Sequence, residues 1–184
     1  VDGVDVRDYT YEALYNKLGY VTQKAVLFSG SLRDNIYFGE SAAGEVDLAK
    51  VLELSQAKEF VQKIPEGAEY RIAQLGRNVS GGQKQRLSIA RALAREPEIL
   101  IFDDSFSALD YRTDARLREG LEEQLHGTTK IIVAQRISTI RHADKIIVLE
   151  RGEAVGIGTH EELMQNCDVY REIAYSQLSA AELA

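Results

Sequence analysis

Apolar residues recur along this chain in two rhythms. Short continuous runs end or sit at Leu18 to Thr22, Glu98 to Phe102, Lys130 to Ala134 and Lys145 to Leu149. They are rich in Ile, Leu and Val, as strands buried on both faces are. Between them the apolar positions take helical spacing. Asp47 can cap a helix through Leu48, Val51, Leu52 and Leu54. A second helix starts at Ser80, runs to about Arg95 and is stopped by Pro97. A third follows Asp110, with Leu117, Leu121 and Leu125 on one stripe. Thr159 and Glu162 have the spacing of a capping box for a fourth. Arg151 and Gly152 read as a turn into a short strand, Ala154 to Ile157. Strands alternating with helices predict an α/β layer fold with a mostly parallel sheet. The stretch from Lys24 to Arg95 has no strong strand pattern and reads as a helical subdomain inserted into that core. Residues 1–23 then hold a core strand, and residues from Glu96 to 184 hold the rest of the core and a C-terminal helix.

Composition narrows the classes. The chain has 184 residues, 45% hydrophobic and 28% charged, which suits a globular domain with one sizeable core. The formal net charge is -7, so a nucleic-acid backbone is not the expected partner. A single cysteine, Cys167, excludes an intrachain disulfide and reads as a bystander near the C-terminus. No run approaches the ~20 apolar residues of a membrane span, and the first residues lack the pattern of a signal peptide. The chain opens without Met and in mid-pattern, which reads as a fragment.

Two segments carry candidate chemistry. In Asn78-Val79-Ser80-Gly81-Gly82-Gln83, Ser80 is placed as a helix N-cap, and Gly81 and Gly82 leave backbone N–H groups unshielded. Such a tip carries partial positive charge and unpaired donors, so it can hold a phosphate. The same residues also fit an ordinary capping box, Ser80 with Gln83. Arg86, Arg91 and Arg95 on that helix read as a solvated or salt-bridged face. The second segment, Ile99-Leu100-Ile101-Phe102-Asp103-Asp104, brings two carboxylates to the C-terminal end of a strand, where α/β sheets bind ligands. Asp103 is then poised for Mg²⁺, and Asp104 stands where a general base for an attacking water belongs. Turn chemistry is the plainer use of such a pair.

Together these segments resemble the ABC ATPase family, over essentially the whole chain and in the family's order. Val79 to Gln83 is similar to the signature motif LSGGQ, with Val first. Ile99 to Asp103 resembles the Walker B strand, Ser107 to Asp110 the D-loop, and Gln23 the Q-loop glutamine. Leu27 to Ile36 is similar to the exporter segment that meets the intracellular loops of transmembrane domains. Gly156 to Leu163 resembles the exporter C-terminal segment, which makes His160 a capping-turn residue. His126 and His142 read as structural. The resemblance implies a P-loop NTPase fold with its N-terminal part missing, and ATP and Mg²⁺ as cofactors. It implies nucleotide contacts from Gln23, Ser80, Gly81, Gly82, Gln83 and Asp110, with metal handled by Asp103 and Gln23. The implied partners are transmembrane domains and a second nucleotide-binding domain in a head-to-tail dimer, at the cytoplasmic face of the cell membrane.

The departures are equally specific. The family's usual Glu after the Walker B aspartate is Asp104 here, one methylene shorter, so its carboxylate falls more than ~1 Å short. A misplacement of that size can cost on the order of 10²-fold in a positioned reaction. The family's usual switch histidine is Gln135, which can donate a hydrogen bond but cannot titrate. A glutamate common in exporters is absent near Gln74. The Gly-rich loop with its Lys, which cradles β- and γ-phosphates, does not occur in the sequence and is expected upstream. Asp104 and Gln135 point to a weakened hydrolytic site on this chain and a competent signature for a partner, as in the degenerate subunit of a heterodimeric exporter. The chain alone is expected to be inactive. Competing readings are a non-hydrolytic dimerisation module and a non-transport ABC ATPase.

Overall fold

The computed structural model describes residues 1–38 and 46–177. The chain divides into two compact units, Val1–Val133 and Ala134–Ala184.

In the first unit, Thr10 caps α1 (Tyr11–Lys17), which leads directly into β1 (Leu18–Val21). A short β2 (Gly30–Ser31) runs into α2 (Leu32–Ile36), where Ser31 and Asp34 form a reciprocal capping box. Asp47 caps α3 (Leu48–Leu54), and α4 (Lys58–Gln62) follows. Then come β3 (Arg71–Ile72), α5 (Gly81–Leu93), β4 (Ile99–Asp103), α6 (Tyr111–Gln124) and β5 (Thr129–Val133). The sheet order is β1-β4-β5, with both pairings parallel. β2 and β3 pair antiparallel, so the stretch between Lys24 and Arg95 holds one short ladder among its helices. These strands are only two residues each and show no alternation, which is why the sequence pattern does not reveal them. The third helix stops one residue short of the apolar stripe, because Leu125 is its C-cap in a non-helical conformation.

The parallel sheet has two unlike faces. Gly19, Val21, Leu100 and Phe102 point to the buried side and join a core with Leu87, Ile89, Leu117 and Leu121. A methyl group on Gly19 would lie 2.8 Å from both Leu100 and Pro97, so only glycine lets β1 approach here. The opposite face carries Tyr20, Ile101 and Ile131 in register, and Asp103 opposite Val133.

In the second unit, α7 (Ile137–Ile140) precedes an antiparallel hairpin of β6 (Ile146–Glu150) and β7 (Glu153–Gly158). Arg151 and Gly152 turn it with positive φ. Thr159 and Glu162 form the capping box expected for α8 (His160–Asn166), and α9 (Asp168–Gln177) closes the described part. Cys167 is not a bystander. It is 5% exposed and packs with Leu163, Tyr170 and Ala174 in this unit's core. A methyl on Gly156 would meet its Sγ at 2.8 Å.

Candidate functional site

The C-terminal ends of β1 and β4 gather the polar groups of the first unit. Asp103 closes β4, and Tyr20 on the neighbouring strand donates its hydroxyl to Asp103 Oδ2 at 2.9 Å. The carboxylate next to it raises the Tyr20 pKa above its ordinary value by holding the phenol proton. Sequence reasoning missed Tyr20. No sequence signal pointed to it, since Tyr20 shares a sheet face with Asp103 only through the parallel register that pairs it with Ile101.

Asp104 leaves the strand with φ 45°. This left-handed conformation is strained for most residues and costs of order 1–3 kcal/mol, least for Asp and Asn. The surroundings hold it there. Its N–H donates to Val133 O at 2.9 Å, and Ser107 Oγ donates to its carbonyl at 2.7 Å. Buried Ser105 fastens the same turn by donating to Val21 O at 2.8 Å. Gln23, just past β1, donates from Nε2 to Asp104 Oδ2 at 2.9 Å. Gln85, 1% exposed, donates to Thr22 O at 3.3 Å and so braces the backbone beside Gln23 from α5. Gln23, Asp103 and Asp104 are thus brought to one sheet edge.

The tip of α5 is built as the spacing requires. Ser80 Oγ accepts from the Gln83 N–H, and Gln83 Oε1 accepts from the Ser80 N–H at 2.9 Å. The Gln83 side chain is therefore engaged in the cap. The N–H groups of Gly81 and Gly82 lie in the first turn, where no helix carbonyl can reach them. A methyl on Gly81 would meet nothing within 4 Å, so nothing in this chain's packing requires glycine there. Behind the tip, Asn78 ties the incoming strand by accepting from Ala73 N–H and donating to Arg71 O, and Lys84 donates to Leu75 O.

The arginines of α5 correct a sequence expectation. Among the described residues Arg86 and Arg91 form neither a solvated nor a salt-bridged face, and Arg95 lies past the end of the helix, which stops at Leu93. Arg86 donates to Gln56 O at 2.8 Å and lies 4.9 Å from the Phe60 ring. Arg91 donates to Val26 O and to Asn35, and Arg95 to Tyr15 O. Arginine stems bury readily while the fork finds backbone acceptors. Burial pushes the pKa of Arg86 and Arg91 down from the ordinary value.

Asp110 is the N-cap of α6 and accepts from Thr113 N–H at 3.0 Å and Thr113 Oγ1 at 2.7 Å. Those donors hold its carboxyl below the usual range. Gln135 belongs to the second unit, where Gln177 donates to its carbonyl at 2.8 Å. His160 opens α8 and pairs its Nδ1 with the Tyr170 hydroxyl at 2.8 Å, a structural contact. Among the described residues no cluster of three or more His, Cys, Asp or Glu side chains could hold a metal by itself. Mg²⁺ keeps several waters and takes phosphate oxygens as ligands, so it is commonly held through only one or two protein carboxylates.

Comparison with known proteins gives the family. The ABC transporter family profile matches residues 1–107. An uncharacterised ABC transporter ATP-binding protein of Mycobacterium tuberculosis (strain ATCC 25618 / H37Rv) is 45% identical over 184 residues, covering 98% of this chain and 31% of that protein. An ATP-dependent lipid A-core flippase of Syntrophus aciditrophicus is 39% identical over 173 residues, 94% of this chain and 29% of its own length. The structure of a bacterial Atm1-family ABC exporter with ATP bound aligns with a TM-score of 0.89 at 33% identity, over 95% of this chain and 31% of that one. The chain therefore spans just under a third of the length of these relatives. A profile that covers more than half the chain shows that the chain belongs to the ABC transporter family.

Proposed function

We propose that this chain supplies ATP-binding and ATPase machinery to an ABC exporter at the cytoplasmic face of a membrane. Asp103 handles Mg²⁺, Gln23 joins the metal and water shell, and Asp104 orients the attacking water. Gln135 stands in the sequence where the family's switch histidine does. Bound Mg²⁺ neutralises charge on the transferring phosphoryl group. The single observation that carries this reading is the hydrogen bond from Gln23 to Asp104 beside Asp103, at the end of the central strand. It ties the loop after β1 to the turn that follows β4, beside Asp103. The open space before Gly81 supports the second half of the reading. There Ser80, Gly81, Gly82, Gln83 and Asp110 face a nucleotide held by another domain in a head-to-tail dimer. Transmembrane domains are the other partner.

The reading includes an asymmetry. The site built on this chain's own carboxylates hydrolyses slowly, because Asp104 is short and Gln135 cannot titrate, while the signature serves a heterodimeric partner. In the full-length complex, Asp104→Glu combined with Gln135→His raises single-site turnover on the order of 10²-fold. Single-turnover hydrolysis with the partner's own Walker site disabled is the measurement. Unchanged turnover sinks the asymmetry and leaves the exporter reading standing.

A further inference from the structure

Arg91 lies in the last third of α5, and its side chain reaches into one stretch of chain, residues 26–38. Nε donates to Asn35 O at 2.7 Å. One terminal nitrogen donates to Val26 O and the other to Asn35 Oδ1, both at 3.0 Å. The guanidinium carbon lies 5.2 Å from the Phe28 ring centroid and 5.7 Å from that of Phe38, and the two rings stack at 4.2 Å. Asn35 locks the arrangement. It is 2% exposed, accepts from Phe28 N–H, and donates to Phe28 O and Ser31 O.

Among the described residues no carboxylate pairs with Arg91, and partly burying a guanidinium in that way is a poor way to fill space, since an apolar side chain of similar volume does so without desolvating a charge. What arginine adds is a planar fork that fixes several acceptors at once. Here all three acceptors belong to the same segment, so the fork sets that segment's distance and orientation relative to α5. Arg91 is ten residues beyond Gly81, about 15 Å along a continuous helix. A rigid helix carries a displacement of its tip over that distance.

We propose that Arg91 is a positioning residue that ties residues 26–38, with the stacked Phe28 and Phe38, to the helix whose tip faces nucleotide, so that the segment follows the helix when ATP binds. The proposal rests on the reading of the Ser80 to Gln83 tip given above. It does not require Arg91 to touch nucleotide.

Hydrogen–deuterium exchange on the full-length polypeptide, with and without ATP and Mg²⁺, tests it. In the natural protein, protection changes on ATP addition at both residues 81–93 and residues 26–38. In Arg91→Ala the change at 81–93 persists and the change at 26–38 falls about five-fold or more, the lower end of a typical coupling. Arg91→Lys keeps the charge but carries its donors on a single nitrogen and cannot span the acceptors that the planar fork reaches, so it shows the same loss and decides the matter if the alanine variant fails to fold. A merely structural arginine would loosen both segments without nucleotide and leave the ATP-dependent difference intact, and that result overturns the proposal. A natural protein whose helix responds while residues 26–38 do not also overturns it. No response at 81–93 in the natural protein instead sinks the reading of the helix tip.

Discussion

At the scale of single residues, environment decides more than residue type. Asp103 and Asp104 are adjacent and chemically identical, yet one is held by a tyrosine hydroxyl and the other by a glutamine amide. Asp104 also sits at positive φ, which aspartate tolerates better than glutamate. The Asp104→Glu change therefore gains reach at some cost in backbone strain, and its effect on melting is measured beside its effect on turnover. His160 illustrates the same point in the second unit. Burial, then the neighbouring Arg141, lowers its pKa below the ordinary value. The sign follows directly. The unfolded chain binds a proton near pH 6.5, the folded chain only at lower pH, so stability falls as pH drops through that window. His160→Gln flattens the pH dependence of the urea midpoint between about pH 7 and pH 5. A midpoint that falls equally steeply in the variant refutes the assignment.

At the scale of elements, α5 shows how far sequence reasoning reaches. Its cap was legible because Ser80 and Gln83 stand at capping-box spacing and both halves of the box form. Its arginines were not, because helical periodicity says which face a residue takes and nothing about loops that fold back over that face. Residues 26–38 wrap Arg91 through contacts more than fifty residues apart in sequence. The site divides in the same way. The carboxylates at the end of β4 were readable from an apolar run ending in Asp103, whereas the Tyr20 contact depends on parallel register across a gap of 83 residues. Two variants test these elements. Ser80→Ala removes the cap and lowers stability by about 1 kcal/mol, read as a shift in denaturant midpoint. Gly19→Ala forces a methyl against Leu100 and Pro97 and costs roughly 1–3 kcal/mol as overpacking. A neutral Gly19→Ala would mean that β1 shifts freely, contrary to its register with β4.

At the scale of the whole chain, the sequence pattern gave the layer architecture but not which layers are bare. Runs such as Ile99 to Phe102 read as strands buried on both sides, and parallel sheets are normally covered twice. In the 184-residue chain the face of the parallel sheet bearing Tyr20 and Ile131 is open, with Tyr20 53% and Ile131 48% exposed. The hairpin of the second unit also presents Ile147 opposite Ile157 on an exposed face. Contiguous apolar surface of this kind is unusual for an isolated soluble chain. The 184-residue chain is therefore expected to bind the dye ANS and to self-associate as its concentration rises. Threonine keeps strand propensity while removing apolar area. Ile131→Thr with Val133→Thr, and separately Ile147→Thr with Ile157→Thr, should each lower dye fluorescence while far-ultraviolet circular dichroism stays unchanged. If neither pair lowers it, the dye surface lies elsewhere, and both faces must be covered in solution by contacts of the chain with itself.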